Sequence, residues 1–384
     1  MLNFTYHNPT KIIFGKGTIA RLSDELNKKN VIMMLYGGGS IKKNGVYKQV
    51  TDALSGYACI EFGGIEANPL YETCMKAVAC AREKKVDFIL AVGGGSVIDA
   101  AKFIAAAIRF DGFDPWDILT RRAVVSGAVP IGTVLTLSAT GSEMNGFSVI
   151  SRREPQEKLS FGSPHVFPRF SILDPETALS LPVSQIRNGI VDPFVHVTEQ
   201  YLTYPVGSPL QDRQAEALLL TLIEEGPKAL ANPNDYDIRA TLMWCATQAL
   251  NTNIGMGVAH DWSTHYIGHE LTALHGIDHA QSLAIVLPAV LRHQKERKSA
   301  KLIQYAERVW GITGTDAQKR DGAIDKTRAF FKSVGMPVSF ADAGIPHETA
   351  RIVAKRIGAR GELLGEHQAI GEKQIEEILL LCLN

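Results

Sequence analysis

The sequence has no long hydrophobic run. Nothing in it approaches the ~20 apolar residues that a membrane-spanning helix needs, and residues 1–15 break their apolar positions with polar ones, so a secretory leader is not expected. It has no excess of charge of either sign: Lys+Arg and Asp+Glu stand at 40 each, so there is no long-range field to gather nucleic acid or anionic lipid. Cysteine is scarce. Cys59, Cys74, Cys80, Cys245 and Cys382 are odd in number and include no Cys-x-x-Cys pair, which argues against a disulfide framework and for a reducing, cytoplasmic setting. There are no internal repeats and no low-complexity tract.

What is present is length and alternation. A chain of 384 residues exceeds the roughly 250–300 over which one hydrophobic core keeps growing, so two domains are expected. Up to about residue 180, short β-rich runs alternate with helical patterns, and Lys11–Phe14, Val31–Tyr36, Phe88–Val92, Val129–Leu137 and Phe170–Leu173 read as strands. Such alternation predicts a mostly parallel sheet with ligands at the carboxyl ends of its strands. Beyond Leu181 the periodicity turns helical, in 211–230, 238–250, 299–310 and 323–333. The expectation is therefore an α/β, Rossmann-like domain over residues 1–180 and an all-helical domain over 181–384, with the change near Asp174-Pro175 to Leu181-Pro182.

Three glycine-bearing segments compete for a dinucleotide. Gly15-Lys16-Gly17-Thr18-Ile19-Ala20 fits the relaxed fingerprint, but the acidic residue required about 20 positions on is replaced by Gly37–Gly39, so a tight strand-to-helix turn is the better reading. Gly93-Gly94-Gly95-Ser96, with Asp99 following, lets backbone amides and a helix N-terminus approach a pyrophosphate; a sharp turn without ligand is the alternative. Gly37, Gly38, Gly39 and Ser40 then end the strand where an adenosine ribose lies. No carboxylate there bonds a 2′-hydroxyl, while Ser40, Lys42 and Lys43 offer a hydroxyl and two cations, a pattern that favours NADP(H) over NAD(H) unless the lysines are a solvated face. Thr136 to Glu143, with Thr136 and Thr140, follows a strand and could contact the cofactor or be an ordinary polar loop.

The helical half carries Asp192…His196 and His265…His269, each four apart and so on one helix face, with His275 and His279 following. A carboxylate with imidazoles suits Zn²⁺ or Fe²⁺. Two bland readings compete: core histidines, and Asp192 as an N-cap before Pro193. A zinc protease is disfavoured because His269-Glu270 is followed by Ala273 where the second histidine is required.

Taken in order, Gly-Gly-Gly-Ser-x-x-Asp-x-Ala-Lys (93–102), Asp-x-x-x-His (192–196) and His-x-x-x-His-x9-His (265, 269, 279) resemble the iron-type, or group III, alcohol dehydrogenases. Tyr36–Ser40, Phe62–Glu66 and His269–Gly276 are similar to its NADPH-dependent aldehyde reductase and butanol dehydrogenase branch. The resemblance implies that Asp192, His196, His265 and His279 ligate one divalent metal, Fe²⁺ or Zn²⁺, with His269 close by outside that set. It implies Gly93–Ser96 and Asp99 at the phosphates and nicotinamide side, Gly37–Ser40 at the 2′-phosphate, and Thr136 and Thr140 lining a cleft between an α/β domain and a helical one, in a homodimer. Pro193 and Asp278-His279-Ala280 depart from the commoner family pattern. The activity implied is hydride transfer between NADP(H) and small aldehydes or primary alcohols; since imidazole titrates near neutral pH, His269, or water linked to it, is expected to relay the proton that the alkoxide needs. Sister activities on phosphorylated polyols, or a carbon–oxygen lyase, call for convergent Lys or Arg, and Trp244 to Trp262 contains neither. A regulator without turnover would need no metal beside its cofactor.

Overall fold

The computed structural model describes residues 1–384 and divides into two compact units. One comprises His7–Pro182 and Asn234–Thr247; the other comprises Met1–Tyr6, Val183–Pro233 and Gln248–Asn384.

The first unit is built on a six-stranded parallel sheet: β1 (Lys11–Phe14), β2 (Val31–Tyr36), β3 (Ala58–Phe62), β4 (Phe88–Gly94), β5 (Ile131–Leu137) and β8 (Phe170–Leu173), in the order β1-β8-β5-β4-β2-β3. A separate antiparallel hairpin joins β6 (Phe147–Arg152) to β7 (Glu157–Gly162). β2 and the first five residues of β4 run apolar without a break because both faces are covered. Along β2, Ile32 and Met34 enter one core with helix Val46–Ala53, while Met33 and Leu35 enter another with helices Tyr71–Glu83 and Gly95–Ile108. Strand order reverses between β2 and β4: β3 lies outward of β2, β5 on the far side of β4. Chains diverging to opposite faces open a crevice at that point, beyond the carboxyl ends of β2 and β4.

Five of these strands follow the sequence reading, β1, β2 and β8 with the same bounds and β4 and β5 with one end shifted. β5 begins at Ile131 because Pro130 has no N–H and Val129 donates to Ala105 O of a helix instead (3.1 Å). β3, β6 and β7 are additional. β3 is an edge strand with alternating exposed positions, and the hairpin is polar, so neither shows the continuous apolar run that marks the centre of the sheet.

Helix Tyr236–Ala249 belongs largely to the sheet unit although it follows in the chain: Met243 enters its core and Arg239 donates to Ala178 O (3.0 Å). The second unit is helical, with Val183–Tyr201, Pro209–Ala231, Ser263–His275, His279–His293, Asp316–Ser333 and Thr349–Ala359 among its elements. Its core joins Ile267, Leu271, Val286, Val290, Phe340 and Val353. All five cysteines are free thiols, and no helix is long and apolar enough to cross a membrane.

Candidate active site

The glycine loops stand where the strand order reverses. Tyr36 pairs with Val92 in register, so Gly37–Gly39 and Gly93–Gly95 leave neighbouring strands side by side. Loop Gly93–Gly95 has no room for side chains: a Cβ on Gly93 would lie 2.5 Å from Val97 Cγ2, and one on Gly95 would collide with Thr140. The Thr136–Glu143 segment thus packs directly on the Gly93–Gly95 loop, and Thr140 Oγ1 also accepts from Ser142 N (3.2 Å). Gly95 opens the helix Gly95–Ile108, whose first-turn amides have no helical partner and attract an anion. Gly38 faces open space and Gly39 is left-handed, φ 95°. Thr136 is buried and Ser40 exposed; the Ser96 hydroxyl donates to Ala67 O (2.8 Å).

Two candidates have partners the sequence did not disclose. Both Asp99 oxygens are engaged from the protein side, Oδ1 by the Ser142 hydroxyl (2.6 Å) and Oδ2 by Val149 N (3.0 Å). Lys102 is fully buried behind it, donating to Ser142 Oγ (2.7 Å), Asn145 Oδ1 (3.0 Å) and Phe147 O (2.7 Å). Burial pulls its ammonium down to about 8 against the opposing Asp99 and Glu143 carboxylates. Lys42 is half-exposed yet held: its Nζ lies 5.0 and 4.9 Å from the Tyr36 and Tyr47 ring centres and 3.9 Å from Glu61. The Gly15–Ala20 match is a turn, with Gly17 left-handed and Thr18 Oγ1 bonded to Gly15 O (2.7 Å).

In the helical unit the four-residue spacings meet. Asp192 and His196 share a face of Val183–Tyr201, and the His196 and His265 Nε2 atoms lie 3.4 and 3.8 Å from the same oxygen, Asp192 Oδ1. Donors of Asp192, His265 and His279 all lie within 4.8 Å of one another. The His196 and His265 rings stack at 4.7 Å, and His279 stands 5.3 Å from His265. Ligands about 2.1 Å from a tetrahedral ion are roughly 3.4 Å apart, the scale seen here. Pro193 lies inside the helix, not in its first turn, so Asp192 is not an N-cap. His269 is buried, its ring 6.4 Å from His265 and 5.1 Å from His279. His275 is apart from the cluster, 3.0 Å from Thr349 Oγ1. Glu270 pairs with Arg356 (2.5 Å) and Arg360 (2.8 Å), which leaves it no hydrolytic part.

Glu199 is the residue that the spacing argument missed. It lies one turn beyond His196 on the same helix, accepts from Thr264 N (2.7 Å) and holds His265 through Nδ1. Burial opposes charge on His265, but the Glu199 and Asp192 carboxylates raise it to about 9. Burial pulls His196 down to about 4 despite Asp192, so that ring stays neutral and keeps a lone pair. An imidazole between two buried carboxylates marks a point where positive charge is stabilised, and the neighbouring neutral ring of His196 is a divalent-metal donor. The donor set therefore fits a divalent ion. Asn188 Nδ2 also donates to Asp278 Oδ2 (3.1 Å), tying the start of the His279 helix to the helix of Asp192.

Residues 9–175 match the family described as iron-containing alcohol dehydrogenase, and 187–382 match the C-terminal part of the same family. The chain is 54% identical over 374 residues to the NADPH-dependent aldehyde reductase YqhD of Escherichia coli, covering 96% of this chain and 97% of that one. It is 44% identical to a probable NADH-dependent butanol dehydrogenase 1 of Bacillus subtilis, covering 99% of each. Against the crystal structure of E. coli YqhD the TM-score is 0.98 at 51% identity, covering 99% of each chain.

Proposed function

This chain belongs to the iron-containing alcohol dehydrogenase family, and we propose that it interconverts small aldehydes and primary alcohols with NADP(H), using one divalent ion held by Asp192, His196, His265 and His279. The observation that carries this reading is the buried convergence of a carboxylate oxygen and imidazole nitrogens from three helices. In this reading residues 1–180 bind the dinucleotide and residues 181–384 bind the metal, in a cytoplasmic homodimer.

When bound, the ion supplies Lewis acidity at a carbonyl oxygen and the reduced nicotinamide supplies hydride to the carbon. The chain's own residues do the rest. Glu199 fixes the His265 ring so that its Nε2 faces Asp192. Gly93, Gly94 and Gly95 admit the pyrophosphate to bare backbone, with Ser96, Asp99, Thr136 and Thr140 bounding the nicotinamide side. Gly37, Gly38 and Gly39 keep a carboxylate away from the ribose, and Ser40 and Lys42 receive the 2′-phosphate. His269 delivers the proton to the nascent alcohol oxygen, directly or through water. The absence of Lys and Arg from Trp244 to Trp262 supports an uncharged substrate.

The test is NADPH and NADH oxidation with aldehydes of graded chain length, on protein stripped of metal and reloaded separately with Zn²⁺ and Fe²⁺. Turnover is expected only after reloading, with a higher kcat/KM for NADPH. Full activity of stripped protein would overturn the metal assignment, and a clear NADH preference would overturn the role given to Ser40 and Lys42.

A further inference from the structure

Trp262 adopts a left-handed backbone, φ 62° and ψ 3°, at the start of helix Ser263–His275. It is the one aromatic among five non-glycine residues with positive φ. That conformation is strained for a bulky side chain and persists only where the surroundings enforce it. The enforcement is visible on both sides. Asp261 is anchored by Lys298 (2.7 Å), its N–H donates to Glu199 O (2.9 Å), and its carboxylate accepts from Ser263 N (3.0 Å). The chain must turn within one residue to enter the helix that carries His265.

The turn aims the indole at the imidazoles. Its ring makes T-shaped contacts with His265, at 5.4 Å and 77°, and with His196, at 6.3 Å and 66°. Its far side is tied down: Nε1 donates to His260 Nδ1 (3.2 Å), and His260 Nε2 donates to Gly255 O (2.8 Å). These two bonds require the neutral Nε2–H tautomer of His260. Any Cβ on Gly255 would lie 2.6 Å from His260 Nε2 and from Gln200 Oε1, so the strut closes on bare backbone.

The two imidazoles differ in what orients them. Glu199 holds His265 through Nδ1, whereas the buried Nδ1 of His196 has no hydrogen-bond partner. Metal-binding histidines ordinarily have an acceptor there, which fixes the ring. At His196 the restraint comes from packing, with His265 stacked on it and the indole in T-shaped contact with it. Resting on the reading that these histidines ligate an ion, we infer that Trp262 is a positioning residue, whose enforced left-handed turn and His260-tethered indole hold His196 and His265 in register for metal binding.

The test is the Zn²⁺ dissociation constant of metal-stripped full-length protein, by chelator competition, together with its melting temperature. Trp262→Ala and Trp262→Gly are expected to bind Zn²⁺ about tenfold or more weakly, the scale of losing an orienting partner, while Trp262→Phe, which keeps an aromatic ring, retains most of the affinity. Without metal, Trp262→Gly is expected to melt above Trp262→Ala, because glycine relieves the left-handed turn. Zn²⁺ should change the tryptophan emission of the wild type, and that change should vanish in Trp262→Phe. Should Trp262→Ala fail to fold, Trp262→Gly and the emission change carry the test. Zn²⁺ affinities of Trp262→Gly and wild type that are indistinguishable would overturn the inference and leave the metal site standing. A wild type that binds no Zn²⁺ would overturn the metal reading itself.

Discussion

Glu199 and His269 both lie beside the four proposed ligands, and single substitutions separate their roles. Glu199→Gln keeps the shape of the side chain but removes the charge that orients His265, so metal affinity should fall by about 10- to 100-fold. Equilibrium dialysis against buffered Zn²⁺ measures this; an unchanged affinity would mean that the Glu199–His265 bond is ornamental. His269→Gln should do the reverse, lowering kcat by roughly a hundredfold or more, the ordinary worth of a positioned proton donor, while metal content stays at the wild-type level. Loss of metal in that variant would place His269 among the ligands. The histidine pairs were legible because four-residue spacing survives any helical fold. Glu199 sits at i+7 from Asp192, on the same helical face, so a rule extended by one turn would have found it. Trp262 was not legible, because nothing in the residue order announces a left-handed backbone.

Among elements, the glycine loop makes the most specific demand. A methyl group on Gly95 meets Thr140, which belongs to the next strand's loop. Gly95→Ala should therefore displace the loop after β5 as well as the one after β4, and raise the Kd for NADPH by about tenfold or more, the scale of a 1–3 kcal/mol overpacking cost. Zn²⁺ affinity should not change, because the proposed ligands lie in the other unit. Restoration of NADPH binding by adding Thr140→Ala would identify the collision as the cause; failure of the double variant to recover would point to the backbone conformation instead. β2 and β4 were legible because burial on both faces favours an unbroken apolar run, as in Val31–Tyr36 and Phe88–Val92. Edge position removes that signal from Ala58–Phe62, and the crowding between Gly95 and Thr140 exists only once β4 and β5 are adjacent.

Over the whole molecule, the proposed cofactor loops lie in the unit of His7–Pro182 and Asn234–Thr247, and the proposed metal ligands in the unit that includes Val183–Pro233 and Gln248–Asn384. Each bound group should therefore stabilise a different part of the chain. Binding to the native state alone contributes RT ln(1 + [L]/Kd), about 2.7 kcal/mol at a hundredfold excess over Kd, and this appears as slower opening of whatever the ligand touches. Hydrogen exchange on stripped protein should show Zn²⁺ protecting Val183–Tyr201, Ser263–His275 and His279–His293, which carry the ligands. NADPH added without metal should protect Gly95–Ile108 and the carboxyl ends of β2 and β4 instead. The pattern discriminates because net charge is zero by formal count, so a few added charges do not relieve a large overall repulsion and stabilise every segment alike. Zn²⁺ protection concentrated in the sheet unit would contradict the assignment of Asp192, His196, His265 and His279, since a cation cannot selectively slow the opening of segments that contribute none of its ligands.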